Sequence, residues 1–577
     1  MGGVITRALG SLDPVADRET FGDKAVLLGR AIQLGLPVPP ALAIDRAGVQ
    51  VLRERASEMG DLLGAIEGLA EEGRPLVVSV RPSTDQDRPG SHATILDVGA
   101  GAALEALEAF LGDRGAALDA RLRFLRGLAR VRGVGATASV RGVRTGAVVP
   151  VSELERENRE LEAKLALGPQ RFADEVTTAL EAVARYGEPI VVQAMRFGTS
   201  RKGRSGAGTA SSRHPITGER LTFGEIAWDR QGEDVSLGRG AGVSLRRAAA
   251  GRRAEESLEA RLPAVLEVLE AHLRRVEQAM DRVVDLELAV EAGVPWVLQL
   301  RETVLTPRAE VRSLVDRAEE GAVTRAEAIA RVAISSMVRV GRVELVPETE
   351  LPGGPTSILG RGLGASPGAA SGKVVIDVDE AVRRGAAGAR VVLVRSDASP
   401  EDAPGVRAAV AVATAAGGLT SHAAVMSRAL GRPCAVSVSS FRVQGHEVSV
   451  EGGRDRLVPG ELVTVDGTRG LVVRGVAPTR WVADDDAPLR LAAWARELGG
   501  PAILVDDDGG GDGPAAARAL NADGVWNGRT AIDLSGSERQ DWGAPPRWDG
   551  ASGLPKGPAV VVAPLLVAAA RVAATRA

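Results

Sequence analysis

His422 lies in a segment with the residues that a phosphoryl carrier needs. A Gly-Gly pair precedes Thr420 and Ser421, either of which is able to cap a helix, and an apolar run follows the histidine. A helix N-terminus favours anions because its N–H groups are unpaired and its dipole end is positive, so it would stabilise a phosphate on the imidazole. The same pattern also fits an ordinary capped helix in which His422 has no chemical role.

A run of alternating residues that contains Asp285 and Glu287 predicts a strand with carboxylates on one face and leucines on the other. A second alternating run contains Gln299 and Arg301. A three-residue turn at 292–294 would place Glu287 opposite Gln299, and Asp285 would then face Arg301. Such a face could hold Mg2+ and a nucleotide together, because Mg2+ prefers one or two carboxylates plus phosphate oxygens. A solvated polar face is the alternative.

Two further basic residues are candidates for phosphate binding. The apolar run 76–80 predicts a buried strand that delivers Arg81 to its end, where a guanidinium could bind phosphate through two parallel hydrogen bonds. Lys24 lies in a predicted helix that a proline-rich turn at 34–40 separates from the next strand. The alternative for Lys24 is a solvated helix lysine.

Length and composition limit the class of protein. At 577 residues the chain exceeds one core, and a typical domain of about 150 residues predicts three or four domains. The net charge is −4 with both signs interspersed, which argues against nucleic-acid and membrane partners and favours small anions. The lone cysteine, Cys434, excludes internal disulfides and indicates a cytoplasmic location.

These segments together resemble the pyruvate phosphate dikinase family of PEP-utilising enzymes. The stretch from Gly417 to Cys434 resembles the family's phosphohistidine motif. Other segments resemble the family in the same order along the chain: 22–40, 76–81, 89–99, 190–198, 213–219, 231–235, 285–288 and 298–301. Two of them depart from it, since Gly-Asp-Lys-Ala around Lys24 replaces the usual glycines and Ser91-His92-Ala93 replaces Met-Met-Asp. Residues 111–189 match poorly.

The resemblance implies a role for each candidate residue. It makes His422 the catalytic histidine and Thr420 a regulatory phosphorylation site, for which a helix cap is the alternative. It makes Asp285 and Glu287 the Mg2+ ligands. The residues implied to bind ATP are Lys24, Arg81, Thr94, Glu233, Asp234, Asp285, Glu287, Gln299 and Arg301. Arg529 is the possible remnant of an acceptor site.

The fold class implied is α/β with several domains. Residues 1–302 are expected to form an ATP-grasp-like nucleotide-binding domain with a helical insert at about 111–189. A helical linker at 303–356 leads to a swivelling phosphohistidine domain at 357–477. Residues 478–577 are expected to be a truncated remnant of the PEP/pyruvate-binding barrel, because a complete barrel needs about 250 residues.

The activity implied is ATP-dependent phosphorylation of His422. ATP would become AMP, phosphate would be released as pyrophosphate, and the phosphoryl group would pass to pyruvate or another acceptor. A protein partner is expected to supply the acceptor site. Two alternatives remain: an antibiotic phosphotransferase, for which 303–356 is too short a substrate domain, and a degenerate nucleotide-binding protein that regulates or scaffolds a partner.

Overall fold

The structure is a computed structural model of the chain. It describes residues 6–54, 59–84, 94–134, 149–168, 171–199, 203–232, 242–332, 342–352, 354–445, 447–450, 455–482 and 486–497, and five short strands between 502 and 562. Contacts divide the chain into two units. The first comprises Met1–Ser211 and Gly224–Glu302, and the second comprises Ser212–Phe223 and Thr303–Ala577.

The first unit contains an antiparallel sheet in the order β1-β2-β5-β3-β4. Its strands are β1 Thr6–Ala8, β2 Ala41–Ile44, β3 Val78–Pro82, β4 Ile95–Val98 and β5 Ile190–Ala194. Val78, Val80 and Val192 pack from one face of this sheet into a hydrophobic core. Because side chains alternate along a strand, Arg81 and Gln193 lie on the opposite face.

Helices surround this sheet. They are α1 Arg18–Gln33, α2 Arg46–Glu54, α3 Gly60–Glu67, α4 Leu104–Leu111, α5 Arg114–Arg132, α6 Val151–Leu165 and α7 Phe172–Ala184. Helix α5 begins after Asp113, whose side chain accepts a hydrogen bond from the Ala116 N–H at 3.1 Å, and ends at Gly133 in a left-handed conformation. Apolar side chains of α5 and α7 complete the core under β3 and β5.

A second sheet of the same unit has the order β10-β9-β6-β7-β8. Its strands are β6 Gly206–Ser211, β7 Phe223–Trp228, β8 Val243–Ser244, β9 Val284–Glu291 and β10 Val294–Glu302, and the helices α8 Leu258–Arg261 and α9 Pro263–Met280 lie between β8 and β9. Leu286 and Leu288 pack against Leu269 of α9 and Leu28 of α1 in one core. Each buried leucine contributes about 1.5–3 kcal/mol, so this face fixes which side of β9 carries the carboxylates.

The second unit begins with residues 212–223 and two helices, α10 Pro307–Glu319 and α11 Arg325–Arg331. Thr306 caps α10 through a hydrogen bond from the Ala309 N–H. The Thr306 hydroxyl also donates to the Ile216 carbonyl at 2.8 Å. The segment 212–223 therefore packs with α10, although it connects β6 and β7 of the first unit.

An eight-stranded mixed sheet forms the centre of the second unit, in the order β12-β22-β21-β14-β15-β16-β17-β13. Strands β14 to β17 are parallel neighbours. Helices α12 Val378–Ala386, α13 Ala403–Ala408 and α14 His422–Leu430 connect them, so that α14 is the crossover between β16 and β17. The strands are β11 Arg342–Leu345, β12 Ile358–Arg361, β13 Leu363–Ser366, β14 Ala369–Val375, β15 Val391–Arg395, β16 Ala411–Thr414, β17 Cys434–Val436, β18 Phe441–Gln444, β19 Glu447–Val450, β20 Asp455–Leu457, β21 Leu462–Asp466, β22 Leu471–Arg474 and β23 Thr479–Val482.

The C-terminal part contains α15 Ala487–Glu497 and a five-stranded sheet. Its strands are β24 Ala502–Asp506, β25 Gly524–Trp526, β26 Ala531–Asp533, β27 Glu538–Arg539 and β28 Ala559–Val562. Strand β24 is parallel to β25 and β28, whereas the pairs β25–β26 and β26–β27 are antiparallel. An eight-stranded α/β barrel contains only parallel neighbours, so these antiparallel pairs differ from barrel pairs. A barrel remnant at 478–577 stays a prediction.

The chain is thus an α/β protein with more than one unit, as the sequence predicts. Among the helices that the structure describes, we find none with the length and apolar character needed to cross a bilayer.

Candidate functional site

The hairpin β9–β10 brings two carboxylates and a guanidinium together in the first unit. Asp285 pairs in register with Arg301, and Glu287 pairs with Gln299. The Arg301 Nε lies 3.4 Å from Asp285 Oδ2, and its Nη1 lies 3.5 Å from Glu287 Oε1. Burial lowers the pKa of Arg301, but Asp285 and Glu287 outweigh it and the net pKa is raised.

The predicted pairs are present, but the predicted three-residue turn is wrong. The turn has two residues, Ala292 and Gly293, both with positive φ, because Glu291 pairs directly with Val294. The register then shifts between Val297 and Gln299, where one strand contains an extra residue. This bulge restores the register that a longer turn would have produced, so the charged side chains still face one another.

Arg81 is the third charged group of this face. It is 8% exposed, and its Nη2 donates hydrogen bonds to the Gln193 side-chain oxygen and, at 3.1 Å, to the Leu298 carbonyl of the bulge. Burial lowers its pKa, and Glu287 opposes that shift. Among the described residues, Arg81 forms no ion pair with a carboxylate. Within the part of the chain that the structure describes, its buried charge therefore has no direct counter-ion.

Lys24 completes the cluster from α1. The helix is kinked at Gly22, whose φ is +76°, and a Cβ at that position would lie 1.8 Å from the Ser83 carbonyl oxygen. The Ser83 hydroxyl accepts a hydrogen bond from the Ala25 N–H at 3.0 Å. Burial lowers the Lys24 pKa to about 8, with Arg81 acting in the same direction and Glu287 against it. Lys24 is thus close enough to Arg81 and Glu287 for their charges to matter.

The charges in this cluster do not balance. Among the described residues of the cluster, Lys24, Arg81 and Arg301 are cations, whereas Asp285 and Glu287 are the anions. A polyanion such as a chain of phosphates would correct the imbalance, and guanidinium groups match phosphate geometry well. Mg2+ binds through one or two carboxylates plus phosphate oxygens, so the two carboxylates of this face fit that ion in the presence of a phosphate ligand. The part of the chain that the structure describes contains no group of three or more potential metal ligands that could hold an ion.

Sequence reasoning missed two polar residues of this face. The Ser211 hydroxyl of β6 donates to Asp285 Oδ1, and Gln193 of β5 accepts from Arg81. Ser211 pairs in register with Asp285, and Thr209 pairs with Glu287. These contacts join strands that are distant in the sequence, so only a correct strand order could have revealed them.

Some predicted site residues are not brought into the cluster. Thr94 directly precedes β4 and lies close to Gly127 of α5. A Cβ added at Gly127 would be 3.5 Å from the Thr94 carbonyl oxygen. No hydrogen bond or ion pair between the described residues connects Thr94 to the charged cluster. Glu233, Asp234 and Arg529 lie outside the described residues.

His422 is the first residue of α14 in the second unit, at the helix start that the sequence predicts. Ser421 is the N-cap, and its hydroxyl accepts a hydrogen bond from the Ala424 N–H at 3.5 Å. Gly417 has φ +102°, which lets the loop turn before the helix. Because Ser421 is the cap, Thr420 is left in the preceding loop. His422 and Thr420 are both partly exposed.

Arg428 fixes the loop before His422. Its buried guanidinium donates hydrogen bonds to the Leu419 carbonyl at 2.9 Å and to the Ala365 carbonyl of β13 at 3.0 Å. The nearby thiol of Cys434 is fully buried, and burial raises its pKa to about 11. It therefore carries no thiolate at neutral pH. The imidazole of His422 is partly exposed and lies at the N-terminus of α14.

Two comparisons bear on these observations. Residues 388–470, which contain His422 and all of α14, match the mobile domain of the PEP-utilising enzymes. The chain is 30% identical over 567 residues to pyruvate, phosphate dikinase of Rhizobium meliloti, which covers 89% of this chain and 62% of that protein. It is 28% identical over 565 residues to pyruvate, phosphate dikinase of Clostridium symbiosum, which covers 89% of the chain and 63% of the relative.

The chain therefore spans about three fifths of the length of the curated relatives it matches. The similarity extends over both the unit with the charged cluster and the unit with His422. The chain is similar to the pyruvate, phosphate dikinases over 89% of its length, and its residues 388–470 match the mobile domain of the PEP-utilising enzymes.

Proposed function

We propose that the chain is an ATP-dependent phosphotransferase that phosphorylates its own His422. The observation that carries the proposal is the charge imbalance around β9 and β10. Lys24 and Arg81 are held in a partly or fully buried position without an ion-pair partner among the described residues. Burying unpaired charge is costly, so a protein retains it where a ligand of opposite charge binds.

The phosphates of ATP would occupy the space that Lys24, Arg81 and Arg301 share. Their positive charges would stabilise the charge that develops on the phosphoryl oxygens during transfer. Gln299 lies beside Glu287 and offers an uncharged hydrogen-bonding group to the nucleotide. Thr94, Glu233 and Asp234 remain proposed nucleotide contacts.

Asp285 and Glu287 would hold Mg2+. Ser211 fixes Oδ1 of Asp285 by a hydrogen bond, which leaves Oδ2 directed towards the cationic side of the cluster. When bound, Mg2+ would neutralise phosphate charge and orient the phosphates.

His422 would be the nucleophile. A neutral imidazole attacks a phosphorus of ATP in line, an N–P bond forms, and the P–O bond to the departing AMP breaks. Attack of inorganic phosphate on the pyrophosphoryl-histidine would release pyrophosphate and leave phosphohistidine. The N-terminus of α14 stabilises the phosphoryl group on the ring.

The names of the relatives contain pyruvate and phosphate, and we propose that both compounds are also substrates of this chain. Pyruvate is the expected acceptor of the phosphoryl group, Arg529 a possible contact for it, and Thr420 a possible regulatory site. In this assignment residues 1–302 are an ATP-grasp-like domain, 303–356 a linker and 357–477 a swivelling domain. Residues 478–577 correspond to part of an acceptor barrel.

The proposal is tested with ATP labelled at the β-phosphate. Wild-type protein incubated with Mg2+ and this ATP should acquire acid-labile label and release AMP, and a His422→Ala variant should do neither. With inorganic phosphate added to convert pyrophosphoryl-histidine to phosphohistidine, loss of the label in a chase with pyruvate would show that this chain transfers the group to pyruvate by itself. Label that pyruvate does not remove would point to another acceptor or to the expected protein partner. Bound ATP without label or AMP would instead support a nucleotide-binding regulatory protein.

A further inference from the structure

We propose that Gln193 is a positioning residue that holds the Arg81 guanidinium for a phosphate without neutralising its charge. The inference deepens the proposed function and rests on it. It assigns a role to a neutral side chain that touches no substrate.

Strand geometry places the two residues together. In the pairing of β3 with β5, Gln193 lies opposite Ser79, and Arg81 is two positions further along the same face. Arg81 Nη2 donates to the Gln193 side-chain oxygen and to the Leu298 carbonyl. The second acceptor belongs to the bulge of β10, so the guanidinium is held between the two sheets of the first unit.

Both acceptors are neutral. An uncharged amide and a backbone carbonyl fix the direction of the guanidinium but leave its positive charge uncompensated. Arg81 Nε and Gln193 Nε2 are both buried, and neither has a hydrogen-bond partner among the residues that the structure describes. Arg81 therefore keeps donor capacity in addition to its charge, and a phosphate is able to use both.

Two other buried arginines of the first unit, Arg123 and Arg196, differ from Arg81 in having carboxylates as partners. Arg123 is 5% exposed and its Nε lies 2.6 Å from Asp97 Oδ2, while Arg196 is 2% exposed and its Nη1 lies 2.6 Å from Glu71 Oε2. Both have a carboxylate partner. Gln193 is 1% exposed and nearly the size of a glutamate, so a carboxylate at this position would pair with Arg81 in the same way. The amide leaves the fold less stable and the charge available.

The test is a Gln193→Glu variant, for which two quantities should move in opposite directions. The midpoint of thermal unfolding of the first unit should rise by about 2–4 °C, because a buried cation gains a partner. The dissociation constant for Mg2+ with a non-hydrolysable ATP analogue should increase at least about tenfold, because the phosphate loses a cation. A merely structural Gln193 would lose stability and affinity together.

Three further variants serve as controls. Ser79→Ala removes a buried hydroxyl that donates to the Gln193 carbonyl at 3.4 Å, so it should lower the unfolding midpoint while leaving the dissociation constant within about twofold of wild type. Adding Arg81→Met to Gln193→Glu should abolish the thermal gain, because the new carboxylate then has no cation beside it. Gln193→Leu removes the acceptor without adding charge, so it should weaken nucleotide binding without any thermal gain.

Wild-type nucleotide affinity in both Gln193→Glu and Gln193→Leu would overturn the proposal. So would a Gln193→Glu variant that folds but is less stable than the wild type. If Gln193→Glu does not fold, the Gln193→Leu affinity decides. Wild-type protein that binds no analogue would refute the proposed function instead, while the thermal comparison would still show whether Arg81 lacks a counter-ion.

Discussion

The charge of the site depends on pH because Lys24 has a lowered pKa. Burial and the neighbouring Arg81 lower its pKa from 10.5 to about 8. A bound phosphate favours the charged amine, so the pKa would be higher in a complex with nucleotide. Nucleotide binding therefore takes up a proton above pH 8.

We expect affinity for the Mg2+–ATP analogue to be constant below pH 7 and to fall as pH rises through 8, by up to about tenfold per unit. Calorimetric titration between pH 6.5 and 9.5 measures this. A Lys24→Arg variant keeps its charge over the whole range and should show a flat profile, whatever its absolute affinity. An equally steep decrease in that variant would assign the titration to another group.

The stability of the fold should change in the opposite sense. A lysine whose pKa is lower in the folded state than in the unfolded state destabilises the fold while it is charged. Loss of the Lys24 charge in the folded state should therefore increase the free energy of unfolding as pH rises from about 8 to 10.5. Binding and folding make conflicting demands on this residue, as is common for groups in ligand sites.

The sequence predicted the polar residues of one hairpin better than their partners on distant strands. Asp285, Glu287 and Arg301 could be placed on one face because alternation and local pairing determine that face. Gln193 and Ser211 could not, since their roles depend on which distant strands become neighbours. Hydroxyl and amide side chains also occur so widely that their presence in a strand indicates no chemistry.

The kink of α1 positions Lys24, and it depends on Gly22. An alanine there would have to adopt a φ of +76° and would place its Cβ against the Ser83 carbonyl. We expect Gly22→Ala to lower the free energy of unfolding by about 2–4 kcal/mol, measured by chemical denaturation.

The matched control is Gly64→Ala. Gly64 is an exposed residue within α3, and apart from the backbone of its own helix and its chain neighbours no atom of the described residues lies within 4 Å of the point that an alanine Cβ would occupy. Alanine should therefore leave stability unchanged or raise it by about 0.5–1 kcal/mol. Equal effects of the two substitutions would show that the close contact with Ser83 is unimportant.

The hairpin β9–β10 shows the limit of prediction for secondary-structure elements. Hydrophobic alternation identified both strands and their paired charges. It did not reveal the two-residue turn and the bulge, because a turn one residue longer produces the same pairs beyond residue 299. The bulge matters nevertheless, since it directs the Leu298 carbonyl towards Arg81.

The whole chain folds as two units, and the first is discontinuous in sequence because residues 212–223 belong to the second. The sequence predicted the α/β class, and the domain boundary near 302 stays a prediction. The sequence did not predict that residues 212–223 belong to the second unit, because that depends on contacts between 212–223 and α10. Multidomain proteins commonly unfold in more than one step. We expect calorimetry to show at least two thermal transitions.

Nucleotide should shift those transitions selectively. At 100 times its dissociation constant, the ATP analogue stabilises the state that binds it by about 2.7 kcal/mol. Because the charged cluster lies in the first unit, only one transition should move, and Lys24→Met should abolish the shift. A uniform shift of every transition would contradict this assignment.

The central claim is that a phosphoryl group from ATP arrives on His422. The most direct measurement is tandem mass spectrometry of the full chain after exposure to Mg2+, ATP and inorganic phosphate, with digestion kept at neutral to alkaline pH to preserve phosphohistidine. The account predicts the group on the peptide that contains His422, on the imidazole and not on Thr420 or Ser421. An unmodified peptide under conditions where ATP is bound, or a group on another residue only, would contradict it.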